Sequence, residues 1–169
     1  MAVTPINLAD GQRAERKLLI TVAEWTEGNA QEREILGTRT EDSSIDYNPD
    51  IETTTDILGI NYTDMNRTQP QQDFDPYLIL GGSKLGAKLN DIRRRNALSE
   101  LNQFTVYIIT AFVGSAGSYQ AEKHTDCTIA YNSIGGDTNV NMPISVYFSN
   151  NITTGTVDKL ADDFEFTPA

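Results

Sequence analysis

Phe104–Val113, FTVYIITAFV, is ten residues long, uncharged, and apolar on both of its alternations. A run of that length, rich in β-branched and aromatic residues, reads as a strand covered on both faces. Such a strand requires a layer on either side of it, so the rest of the chain must supply two.

Several segments can do so. Arg16–Glu24, RKLLITVAE, places Leu18, Ile20 and Val22 on one side, as a strand does. GSAGS, Gly114–Ser118, is a hairpin loop leading into a long strand over Tyr119–Ser133. In Asn139–Phe148, Val140, Met142, Ile144, Val146 and Phe148 are expected to point inward, and Asn139, Asn141 and Ser145 outward. A last strand is expected from about Thr154 to Phe166, and QPQQDFDPY, Gln69–Tyr77, reads as a breaker region. Leu85, Leu89 and Ile92 form a helical stripe within 83–96, with Ser83 as N-cap. The expectation is one domain over 1–169, mainly β: an antiparallel β-sandwich or barrel with one α-helix and a long extended loop.

That loop, 40–72, is the unusual part. Glu41–Asn66 holds seven carboxylates and no Lys or Arg. Ile51, Thr53, Thr55 and Ile57 share one face, Glu52, Thr54 and Asp56 the other, and Asn48-Pro49-Asp50 reads as the turn of a hairpin-like excursion. It contains no His, Cys or phosphate-binding glycine loop, so it does not read as an active site. The candidate assembly residues are Asp42, Asp46, Tyr47, Asn48, Pro49, Glu52 and Asp56. Their counterpart is the helix, where Lys84, Lys88, Arg93, Arg94 and Arg95 face a single acid, Asp91. Opposite charges at separate places on one subunit suit a head-to-tail self-contact.

Catalysis finds little support. The formal charge of −11 disfavours gripping a phosphate backbone. His124 and Cys127 lie three apart, which in a regular strand sends them to opposite faces: a solvated imidazole and a buried thiol. One His and one Cys cannot build a zinc site, and Asp73 and Asp75 lack a calcium-loop spacing. Acids for glycoside hydrolysis are plentiful, but Trp25 is the sole tryptophan for a sugar platform. No enzyme activity, metal or cofactor is expected. No signal peptide or membrane anchor is visible either.

The order of these elements resembles the tail tube (major tail) proteins of long-tailed bacteriophages and phage-tail-like particles. The residues that carry the resemblance are Tyr47, Asn48, Pro49 and Glu52 in the long loop, then Pro70 and Phe74 before the helix. It implies a β-sandwich subunit that forms six-membered rings stacked into a hollow tube, with the loop reaching onto a neighbouring ring. Its partners would be further copies of itself, the tape-measure protein and other tail proteins. DNA would transit the lumen without specific binding. The protein would reside in the virion after synthesis in the bacterial host cytoplasm. Glu122, Asp126, Asn139 and Asn141 are the candidate lumen-facing residues. A carbohydrate-binding or adhesin-like sandwich, or another ring-forming component such as a tail terminator, is the alternative.

Overall fold

The computed structural model describes residues 3–169. Its central strand is β7 (Phe104–Ser115), hydrogen-bonded between β1 (Leu19–Glu27) and β8 (Ser118–Tyr131), all antiparallel. Phe104, Val106 and Ile108 enter one buried cluster, and Tyr107 and Ile109 another on the opposite face. β2 (Ala30–Ile35) flanks β1. The described residues are mainly β with a single α-helix.

β8 is longer than its neighbours and belongs to two sheets. Tyr119–His124 pairs with β10 (Ile152–Val157), whereas Thr128–Tyr131 pairs with β9 (Ile144–Tyr147). Beyond β9 come β6 (Gln71–Phe74) and β3 (Ile45–Asp46). The crossing point is a bulge at Asp126, whose φ is 58°: His124 lies opposite Val106, yet Cys127 lies opposite Phe104. Bulges turn sandwich corners in this way. Side chains of β1 and β7 meet those of β6 and β9 in one cluster, and Thr21 donates to Gln72 Oε1 across it at 2.8 Å. The two sheets therefore face each other as a sandwich.

α1 (Lys84–Arg95) adds Leu85, Leu89 and Ile92 to this cluster. Ser83 Oγ caps it by accepting from Gly86 N at 3.1 Å. Glu34 of β2 reinforces the same end, accepting from Leu85 N at 2.9 Å and from Tyr77 OH at 2.8 Å. A carboxylate there answers the helix's positive pole.

The second cluster lies on the outer face of the larger sheet, under the C-terminal segment. Phe164 and Phe166 set their rings edge-on to Tyr107 at 4.9 and 5.5 Å. β11 (Phe166–Pro168) pairs with β10 and comes very close at Gly155, where a Cβ would sit 2.3 Å from Thr167 O. Arg33 ties this segment down. Its Nε meets Glu24 Oε2 at 2.5 Å, its Nη1 donates to Phe164 O at 2.5 Å, and its guanidinium stacks 4.3 Å from the Phe164 ring. Tyr107 OH also donates to the buried Glu24, and burial together with that carboxylate pushes the phenol up to about 12.

Several expectations need correction. QPQQDFDPY contains β6, a core strand, because Gln72 satisfies its amide internally on Thr21 and Ser43 and so can be buried beside Phe74. β9 is shorter than Asn139–Phe148: Val140 is 50 % exposed and Ser145 is buried, accepting from Asn132 Nδ2. The last strand is two, β10 and β11, separated by a turn. His124 is not solvated. The Asp126 bulge returns it to the same face as Cys127, where it is 2 % exposed, lies against Phe148 and has its Nδ1 3.1 Å from Ser149 O.

Candidate assembly arm

β4 (Asp50–Thr55) and β5 (Asn61–Arg67) form a two-stranded sheet of their own. Every residue in both strands is exposed, and neither buried cluster includes any residue of 50–67. The register pairs Ile51 with Met65, Thr53 with Thr63 and Thr55 with Asn61 on one face. Glu52 pairs with Asp64 and Thr54 with Tyr62 on the other. One side of the arm is thus threonine and apolar, the other acidic. Cross-strand polar contacts hold it together: Thr53 Oγ1 to Thr63 Oγ1 at 3.1 Å, and Thr55 Oγ1 to Asn61 Oδ1 at 2.6 Å.

The hairpin turns at Asp56–Ile60, not at Asn48-Pro49-Asp50 as the sequence suggested. Asp56 Oδ1 accepts from Leu58 N at 2.8 Å and from Ile60 N at 2.9 Å, and Gly59 supplies a φ of 77°. An aspartate that organises the following amides and a glycine three residues on together make a tight reversal. Asn48 and Pro49 instead mark the base, where Asn48 Nδ2 and Tyr47 O bond to Gln69. The tip itself is apolar and bare: Ile57 is 102 % exposed, Leu58 78 % and Ile60 49 %. A lone two-stranded hairpin is marginal in water. The amide bonds, that of Ile60 foremost, hold the Asp56 carboxyl below its usual range. A depressed pKa means that the turn's stabilisation is present above the ordinary carboxylate range and is lost as pH falls through the depressed value. Acidification below about pH 4 is therefore expected to loosen the tip, seen as faster amide exchange at Leu58 and Ile60. Asp56→Asn should remove that pH dependence; a pH-independent tip in the unmodified chain would refute the assignment.

The other assembly candidates occupy varied positions. Asp42 and Asp46 are exposed on the body, Asp46 within β3. Tyr47 is half-exposed, its phenol raised by partial burial and by Glu122. Glu52 accepts from Asn66 at 3.4 Å.

On the helix, most of the basic charge is already paired. Lys84 meets Glu32 at 2.5 Å, and Lys88 meets Glu27 and Glu100 at 3.0 and 3.2 Å. Arg95 meets Asp91 and Glu100 at 2.8 and 2.9 Å. Arg95, then Lys88, pull Glu100 down to about 2. Arg93 donates to Asn90 Oδ1, and Arg94 has no ion pair among the described residues, so these two carry the helix's outward charge. Of the lumen candidates, Glu122 lies 3.3 Å from His124 Nε2, and Asp126 and Asn139 are exposed. Asn141 is a structural tie, accepting from Tyr77 N and donating to Asp75.

Among the described residues, no group of three or more His, Cys, Asp or Glu side chains is placed to hold a metal ion. No helix among them is long and apolar enough to cross a membrane. The tip is the feature least marked in the sequence. Its signal was present in DILG, an aspartate with glycine three positions later inside a threonine-rich alternation.

No protein-family model matches the chain, and no curated protein matches it. Among solved structures it is similar to a chain of the sheath-tube complex, in the extended state, of the extracellular contractile injection system PVC. The TM-score is 0.48 at 11% identity, covering 87% of this chain and 94% of that one. It is also similar to a chain of the six-fold symmetrised baseplate of the anti-feeding prophage, with a TM-score of 0.45 at 8% identity, covering 79% and 91%. At these values the likeness says nothing about what this chain does.

Proposed function

We propose that this chain is a non-enzymatic structural subunit of a phage-tail-like particle, which polymerises as stacked rings, six subunits to a ring, into a hollow tube. The observation that carries the proposal is the β4–β5 arm. It is ordered by its own pairing, bare on both faces, and ends in three uncovered aliphatic side chains. Exposed apolar surface grouped in this way marks an interaction site, and a repeating subunit supplies its partner at every position. The two solved chains named above come from assemblies of this general kind, but the arm is what carries the proposal.

In such a tube the tape-measure protein would fill the lumen before DNA passes, and other tail proteins would cap the ends. Glu122, Asp126 and Asn139 are proposed for the wall. A wall without clustered Lys or Arg forms few of the counterion-releasing contacts that would retain DNA.

Purified protein at rising concentration is expected to form rings or tubes, visible by light scattering and negative-stain microscopy. A strict monomer at every concentration and salt would overturn the proposal. The carbohydrate-binding alternative has one observation behind it: Tyr147 lines a cleft with Asn48, Gln69, Gln71 and Asn150. Phe148 also lines the cleft but is buried, so Tyr147 is its one exposed ring, and glycan binding by a monomer would favour this alternative.

A further inference from the structure

We infer that the arm tip of one copy seats in a specific groove of a second copy, between β1 and β6. This inference rests on the assembly proposal and names the surface that receives the arm. The groove has a volume of about 470 Å³, with Leu19, Ile20, Leu36 and Phe74 lining it and Arg16 and Lys17 at its mouth. Arg16 bridges that mouth, donating to Leu19 O at 2.6 Å and to Ser43 O at 2.8 Å.

Tip and groove match in both chemical respects. The tip offers Ile57, Leu58 and Ile60, all exposed, to an apolar cleft. Directly behind the tip stand Asp56, Glu52 and Asp64, which carry charge opposite to the Arg16 and Lys17 rim. The rim also holds Glu41, and Lys17 already meets Glu15 at 2.7 Å, so the attraction falls chiefly to Arg16.

Geometry rules out a fold-back onto the same copy. Glu41 and Ser43 line the groove and lead into β3, so the groove lies beside the arm's own base. β4 is six residues long, and a strand rises roughly 3.3 Å per residue, which puts the tip about 20 Å from that base. The occupant is then a different copy, displaced by about that length. The surfaces given and received differ, so the contact is head-to-tail and propagates from copy to copy.

Cysteine cross-linking tests the inference on the full chain. Leu58→Cys and Thr38→Cys lie at the exposed tip and on the exposed groove lining, and the native Cys127 is buried. Mixed under oxidising conditions, at concentrations where the unmodified chain associates, the two variants are expected to give a cross-linked dimer that neither gives alone. Ile57→Asp with Leu58→Asp should weaken association at least ten-fold while the far-UV spectrum and melting curve stay native. Normal association of that double variant, or cross-linking of Leu58→Cys elsewhere than to Thr38→Cys, would overturn the groove while leaving the assembly proposal intact. Failure of the unmodified chain to associate at all would remove both.

Discussion

Cutting the arm off at its base is expected to leave a folded subunit that no longer associates. The base is already closed by Gln69 N donating to Tyr47 O at 2.8 Å, so Pro49–Arg67 can be replaced by a two-residue Asn-Gly turn without stretching the body. Neither buried cluster loses a side chain, because none of 50–67 enters one. Unfolding stability should change by no more than about 1 kcal/mol, since single surface substitutions away from core features stay within about 0.5 kcal/mol. Association should fall below detection by sedimentation at concentrations where the intact chain forms large species. Loss of folding would show that the arm belongs to the subunit's own stability. Undiminished association would show that it is not the assembly element.

Arg33→Ala is expected to be the costliest single change outside the apolar core. It strips the buried Glu24 of its 2.5 Å partner, frees Phe164 O and removes the cation from the Phe164 ring. Breaking a buried pair from one side costs about 3–5 kcal/mol, since the remaining charge stays desolvated. Urea unfolding should show a lower midpoint with an unchanged slope. Amide exchange should rise first over 158–168, the segment that Arg33 pins. Replacing both partners, Glu24→Leu with Arg33→Met, should recover much of the loss, because an apolar pair avoids the stranded charge. A single variant as stable as the parent would mean that Glu24 is satisfied by Tyr107 alone.

What could be read from sequence followed the strength of each local pattern. Phe104–Val113 announced a doubly covered strand because both alternations were apolar, and α1 announced itself through Leu85, Leu89, Ile92 and the Ser83 cap. β6 was hidden because Gln72 is polar in sequence and satisfied only by partners 51 and 29 residues away, Thr21 and Ser43. His124 was misplaced because a bulge shifts the two-residue period by one, and nothing in KHTDCT marks Asp126 as its site. The basic helix looked freer than it is, since Glu27, Glu32 and Glu100 arrive from elsewhere in the chain to pair with it. The arm is visible as an acidic, alternating excursion, but Asn48-Pro49-Asp50 is the stronger turn signal in sequence, whereas the aspartate at 56 makes the reversal.

The joint between arm and body has a mechanical consequence. A pull on the arm enters the body through both of its legs, at β3 and, three residues beyond β5, at β6. β3 holds β6 through only two residue pairs, Ile45 with Gln72 and Asp46 with Gln71, whereas β6 holds β9 through four. Behind β6, β9 and the fourteen-residue β8 carry the load into the larger sheet across the Asp126 bulge. The two legs are thus unequally anchored, the β3 leg by a short link and the β6 leg by a strand of the core sheet. Strain would part the two β3–β6 pairs before the four β6–β9 pairs, leaving the arm tethered through β6, as a rope with one loose and one firm strand.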